Sequence, residues 1–268
     1  MNHITLTGNL GSGKSTVCGI LEEKYGFEPY ATGKVQRKIA EEMGISVLEM
    51  NKLMKKDHKY DHLIDDTTAK ISRENPDKKI VFDSRLAWNF VEKSFKVFLS
   101  VDIDESTRRV FSDASRGNVE KYSSLEDCKN QLIARATEEN TRYHELYNLN
   151  YFDYNNYDLV LDSTYASPDQ VVETLAKEAE AFDEKADKSK GHILLSPKRL
   201  LKEIGIFVDE SGDVSEDDKK KYADAMSREV FDVKSDGFSF EPALNEEAQE
   251  KLIDAVLAGV VFVRCRLV

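Results

Sequence analysis

Cysteine is scarce in this chain, with 3 in 268 residues, and Cys18, Cys128 and Cys265 are odd in number and far apart. That excludes a disulfide framework and a C-x-x-C metal pair, and it fits a reducing compartment. No apolar run reaches the roughly 18 residues of a membrane-spanning helix. The opening MNHITLTGNL has neither the basic start nor the apolar stretch of a signal peptide, so a cytoplasmic protein is expected. Basic charge is also in deficit, with 38 Lys and Arg against 50 Asp and Glu, a net charge of −12. A broad nucleic-acid surface is thereby excluded, although a local basic pocket is compatible. Proline numbers 5 and glycine 13, and no internal repeat of fixed period is visible. The length allows one or two domains with a buried core.

What is present begins with GNLGSGKST at residues 8–16, which fits G-x-x-x-x-G-K-[ST]. A short β-branched run, Ile4–Thr7, precedes it. The following TVCGILEEKYG places Val17, Ile20 and Leu21 on one helical face and stops at Gly26,. Strand, loop and helix in that order are the context that a P-loop needs. Gly8, Gly11 and Gly13 let the backbone turn its N–H groups inward, Ser12 sits between them, and the helix start adds positive potential. Lys14 is expected to bridge phosphates. Ser15, with Thr16 beside it, offers a hydroxyl to Mg²⁺, which prefers oxygen ligands.

Further apolar runs end at Asp83 (KKIVFDS) and span about residues 95–104 and 157–164, separated by helical stretches. An α/β fold with a parallel sheet follows. Residues 1–180 read as a P-loop domain, 181–192 as a charged linker, and 193–268 as a second, small α+β domain,. The roughly 50 residues between the last two runs of the first domain read as a helical, mobile insertion.

A P-loop serves GTPases, motors and kinases alike. The one Asn-Lys pair, Asn51-Lys52-Leu53-Met54, lacks the Asp of a guanine reader, and a motor ATPase would need a longer chain. A small kinase remains, and the receiving side must supply anion-binding groups. Thr32 and Gly33 form a turn opening a helix on which Arg37 could bind an anionic acceptor, or could simply be solvated. Asp83 ends a strand where a Walker-B acid would hold the Mg²⁺ shell, and Arg85 follows at the ligand crevice of an open sheet. A strand-end salt bridge would explain the same two residues. Arg108, Arg109 and Arg116 lie in the insertion. Arg135, Glu139 and Arg142 follow at i, i+4 and i+7 on one helical face, suited either to phosphate neutralisation or to solvated Arg–Glu pairs.

The ordered set TGNLGSGKST, YATGKVQRKIAEEMGIS, DHKYDHLIDD, FDSRLAW, ARATEENTRYHELYNL and YDLVLDST resembles the cytidylate kinases, especially the compact form of archaea and some bacteria. The resemblance covers about residues 1–175. It implies a P-loop, nucleoside-monophosphate-kinase fold with a three-layer parallel sheet, and transfer of the ATP γ-phosphoryl group to CMP or dCMP with Mg²⁺. It implies catalytic roles for Lys14, Arg135 and Arg142, with Arg109 among the ATP-binding residues. The acceptor would be held by Thr32, Gly33, Arg37, Arg85, Glu139 and Arg142, and the metal by Ser15 and Asp83. Asp61 and Asp65 fall in the acceptor segment without an implied role. Glu139 and Lys34 depart from the residues common in the family. The acceptor is already an anion, so the implied catalysis is positioning and charge neutralisation, without a strong base.

Residues 193–268 are weakly similar to the ParB/sulfiredoxin-like domain, through ILLSPKRLL and LAGVVFVRCRLV, but lack its G-H-H-R turn. A degenerate copy kept for interaction with a protein partner, or for regulation, is expected. With 11 basic and 16 acidic residues there, DNA binding is excluded. Two other functions stay open: a kinase for another small anionic acceptor, and an ATP-sensing module that signals through this segment.

Overall fold

The computed structural model describes residues 2–45, 49–50, 53, 59–113, 122–182, 185, 187–210 and 215–268, without the side chains of 34 and 36–38. Arg116 and the Asn51–Lys52 pair lie outside the described residues.

Strand β1 (His3–Gly8) is buried along its whole length, as the centre of a doubly covered sheet must be. It runs into helix α1 (Lys14–Tyr25), which ends on Gly26 in the left-handed conformation, the usual helix stop. Then come β2 (Glu28–Ala31), α2 (Thr32–Glu42), α3 (Lys59–Glu74), β3 (Ile80–Asp83), α4 (Ala87–Phe90) and β4 (Phe95–Ser100). The expected helical insertion contains α5 (Ile103–Ser112) and α6 (Leu125–Tyr147). Asp102 caps α5 by accepting from the N–H groups of Asp104 and Glu105. Ser124 caps α6, and Asn148 closes it at φ 54°. β5 (Leu159–Asp162) is followed by α7 (Pro168–Glu180), which opens with a Ser167–Gln170 capping box,.

The last third adds β6 (Ile193–Leu195), α8 (Pro197–Glu203), α9 (Glu216–Met226), β7 (Val230–Ser235), β8 (Phe240–Pro242), α10 (Glu246–Leu257) and β9 (Val263–Leu267). All nine strands form one sheet in the order β2-β3-β1-β4-β5-β6-β9-β7-β8. The first six are parallel to one another, whereas β9 is antiparallel to β6 and β8 to β7. The parallel sheet expected of residues 1–180 therefore holds and continues through β6, and the sheet becomes mixed beyond it, because β9 arrives from α10 in the opposite direction.

Residues 193–268 do not build on a sheet of their own. β6 pairs in parallel with β5, Val160 opposite Ile193 and Leu161 opposite Leu194. Side chains alternate accordingly. Leu194 joins Ile4, Leu6, Val17, Leu21, Leu161 and Leu175 on the face covered by α1 and α7. Ile193 and Leu195 join Phe98, Tyr154, Tyr157, Leu200, Phe240 and Leu252 on the other face. Among the described residues no helix is long and apolar enough to cross a membrane.

Candidate active site

The carboxyl ends of β1, β3 and β4 meet at the P-loop. Gly8 leaves β1 so close to β4 that a Cβ there would run into the Leu99 carbonyl. Gly13 stands at φ 87° directly before α1, a backbone conformation open chiefly to glycine. The buried Ser12 hydroxyl donates to the Asn9 carbonyl at 2.8 Å. Lys14 Nζ folds back over the loop and donates to the carbonyls of Gly8 and Asn9, each at 3.2 Å. Burial, and then the neighbouring Arg85 guanidinium, hold the Lys14 amine down to about 7, against the pull of Asp83 and Glu139. Ser15 and Thr16 are exposed at the first turn of α1.

Asp83 ends β3 opposite Leu6 of β1 and Ala31 of β2, so it stands at the same mouth. Two residues on, Arg85 reaches in two directions: Nη1 donates to the Gly8 carbonyl of the P-loop, and Nε donates to Glu139 Oε2 at 2.9 Å. Its backbone is fixed because Trp88 Nε1 and the Thr7 hydroxyl donate to the Arg85 carbonyl, at 3.0 and 3.3 Å. Burial works against the Arg85 charge, yet Glu139, Tyr151 and Tyr143 together outweigh it and raise the guanidinium above its ordinary value. Glu139 is correspondingly lowered: Arg85 and Arg135 overcome the opposing effect of burial.

On α6, Arg135 donates to Glu139 Oε1 at 3.1 Å from the outer side and keeps 49% of its side chain exposed. Arg142 turns inward. Its guanidinium lies 5.2 Å from the centre of the Tyr143 ring, and its Nε is buried with no hydrogen-bond partner among the described residues. The sequence-predicted stripe thus divides, with Arg135 at the rim and Arg142 in the interior.

A cleft of about 140 Å³ opens beside Arg85, lined by Thr32, Asp61, Asp65, Arg85, Arg142 and Tyr143 among others. Gly33 is exposed behind Thr32, and Arg37 follows on α2 with its side chain outside the described residues. Tyr143 was not expected as a site residue, and Asp61 and Asp65, placed in the acceptor segment without a role, both line the cleft. Tyr143 had a signal, since it continues the buried row Leu132, Ala136 of α6 at helical spacing. Asp65 accepts from the Tyr147 hydroxyl at 2.6 Å; burial pushes its carboxyl up to about 6, although that bond opposes the rise.

Arg109 lies on the other side of the P-loop. It donates to Glu105 Oε1 and the Ser163 carbonyl, both at 2.7 Å, to the Thr164 carbonyl at 3.2 Å and to the Gly11 carbonyl at 3.4 Å. Arg108 pairs with Glu105 as well but stays exposed. The arrangement therefore has a P-loop with one lysine, a second cleft beside it that holds two arginines and two aspartates, and Arg85 touching both.

The sequence model of the cytidylate kinase-like family matches residues 3–165. A cytidylate kinase of Natronomonas pharaonis is 34% identical over 170 residues, 63% of this chain and 84% of the relative. One of Haloarcula marismortui is 30% identical over 192 residues, 71% of this chain and 95% of the relative. An uncharacterized protein from Eubacterium ventriosum superposes with a TM-score of 0.50 at 17% identity, over 68% of this chain and 100% of that one, which is a likeness of fold alone. By its sequence match and by the P-loop sheet on which those residues lie, the chain belongs to the cytidylate kinase-like family.

Proposed function

We propose that the protein transfers the γ-phosphoryl group of ATP to CMP or dCMP, in the cytoplasm. The observation that carries this reading is Arg85, whose guanidinium joins the P-loop carbonyl of Gly8 to the cleft of Thr32, Asp61 and Arg142. A nucleotide sensor needs the first site and not the second.

In this reading the loop Gly8, Gly11, Ser12, Gly13 with Ser15 and Thr16 holds the ATP phosphates by backbone N–H groups and hydroxyls, and Lys14 moves from the loop carbonyls onto the phosphate oxygens. Arg109 borders the ATP side. Thr32, Gly33 and Arg37 are the residues assigned to the acceptor phosphate, and Glu139 holds Arg85 and Arg135 at a fixed separation. Arg142, whose buried Nε has no partner among the described residues, and Arg135 neutralise charge spreading over the transferred group. The acceptor phosphate attacks without a general base.

Mg²⁺ would be held by Ser15 and Asp83, both hard oxygen donors at the loop mouth. Among the described residues no cluster of three or more His, Cys, Asp or Glu could hold a metal ion. That donor set fits an ion which keeps water and phosphate oxygens as most of its ligands. When bound it would neutralise phosphate charge.

The test is ADP release from ATP·Mg²⁺ with CMP, dCMP, UMP, AMP and GMP offered separately. Strong preference for CMP or dCMP is expected. Equal, weak release with all five would overturn the reading in favour of a sensor, and preference for another nucleotide would move the acceptor assignment.

A further inference from the structure

Helix α8 lies beyond residue 165, where the family match ends, yet two of its side chains reach the P-loop side of the sheet. Arg199 is fully buried, as is Asp162 at the end of β5; Nη1 donates to Asp162 Oδ1 at 2.8 Å and to the Ser100 hydroxyl at 3.0 Å. Its Nη2 donates to the Phe238 carbonyl at 3.3 Å, and the guanidinium stands 5.0 Å from the centre of the Phe240 ring. The second Asp162 oxygen accepts from the Ser196 N–H at 3.1 Å. A buried carboxylate so paired has one available geometry, because losing its partner would strand a charge out of water.

That fixed carboxylate shapes the next two residues. Asp162 Oδ1 accepts from both the N–H (3.1 Å) and the hydroxyl (2.5 Å) of Thr164, and the Thr164 hydroxyl accepts from the Asp102 N–H at 2.9 Å. The turn so formed presents the Ser163 and Thr164 carbonyls to Arg109, and the Ser163 hydroxyl to the Ser12 carbonyl of the P-loop at 2.9 Å. From the same helix, Lys202 Nζ donates at 3.0 Å to Asp102 Oδ1, the atom that caps α5, and α5 carries Arg109. Two arms of α8 therefore converge on Arg109, one through the carbonyls it donates to and one through the helix that bears it.

We infer that Arg199 is a positioning residue for the nucleotide at the P-loop, acting through the Asp162–Thr164 turn on Arg109 and Ser12. The C-terminal segment is then a working part of the donor side and not a module that merely follows the kinase. This rests on the reading of the P-loop as the ATP site.

The experiment measures ATP·Mg²⁺ binding by calorimetry, and KM for each substrate, in full-length native protein and in Arg199→Met, Arg199→Lys and Thr164→Val. Absence of ATP binding by the native protein would refute the ATP-site reading itself, and with it this inference. With native binding in hand, Arg199→Met should weaken ATP on the order of tenfold, with the acceptor KM within about twofold of native. Arg199→Lys keeps the charge on Asp162 and should recover most of the loss. Thr164→Val removes the two hydroxyl bonds of the relay, to Asp162 and from the Asp102 N–H, while leaving the backbone N–H bond and the ion pair intact, so it decides the matter if Arg199→Met fails to fold; it should also weaken ATP selectively. Native ATP affinity in the folded variants, or equal loss of both substrates in step with lowered melting temperature, would overturn the inference.

Discussion

Lys14 offers the sharpest quantitative test. Its amine donates to the loop carbonyls, and burial first, then the charge of Arg85, hold it down to about 7 from 10.5. At about 1.4 kcal/mol per pH unit, that difference is a penalty of no more than about 5 kcal/mol on the charged form. A triphosphate placed on the loop reverses the balance, since its oxygens supply the opposite charge that burial withheld. Binding should then draw a proton onto Lys14 whenever the free amine is neutral. By linkage the uptake should be about 0.1 proton at pH 6, about 0.5 at pH 7 and about 0.9 at pH 8. Calorimetric titration with ATP·Mg²⁺ in buffers of high and low ionisation enthalpy, such as Tris and Hepes, measures this directly. The proton-linked heat should vanish in Lys14→Met, with binding followed at high nucleotide concentration. Buffer-independent heat throughout pH 6–9.5 would refute the reasoning. The sign for stability follows from the same shift: a lysine lowered on folding destabilises the fold fully below pH 7 and ceases to do so as the pH approaches 10.5. Lys14→Met should accordingly melt higher than the native protein at pH 7 without nucleotide.

Glu139→Gln should destabilise the protein by about 2 kcal/mol, less than the ~3–5 of a fully buried pair, because Arg85 and Glu139 keep 16% and 18% side-chain exposure. Since Glu139 is lowered on folding, its stabilisation is present at neutral pH and lost in acid, so thermal melts of native and variant should converge as the pH falls well below 4.5. Asp65 has the opposite sign: it is raised to about 6 from 3.8, so its penalty is absent below about pH 4 and complete above about pH 6. Asp65→Asn, which retains an oxygen for Tyr147, should melt higher at pH 7.5 by no more than about 3 kcal/mol of stability and equally at pH 4; a variant that is equal at both would discount the burial of that carboxylate.

Much of the nucleotide-binding half was legible because its signals are local. β1, the glycine loop and α1 are contiguous, and the strands ending at Asp83, Ser100 and Asp162 are apolar runs buried on both faces. β2 was not legible: EPYA is a short, half-exposed edge strand that tolerates Pro29,. Helix α9 was hidden because its charges face solvent and mask its period, and β7 buries only Phe231 and Val233 as alternate residues. The composition shift at Ile193 suggested a new domain, but composition does not report which sheet a strand will join. In the site, Arg85, Glu139 and Arg142 follow from strand end and helix spacing. The Asp65–Tyr147 bond, closing over 82 residues of chain, depends on how α3 docks against α6, which no local pattern encodes. The pairing of Arg199 with Asp162 was hidden for the same reason.

The parallel pairing of β6 on β5 has a consequence for anyone who shortens this protein. Val160 donates its N–H to the His192 carbonyl at 2.9 Å, so β5 is an interior strand only while the C-terminal third is attached. A chain cut after α7 would expose a fully buried strand, Leu159–Asp162, with open N–H and C=O groups, beside the uncovered rings of Phe98 and Tyr154. Such an edge recruits other strands. The excised kinase would meet its own copies before it met a nucleotide, and its insolubility would say nothing of its chemistry.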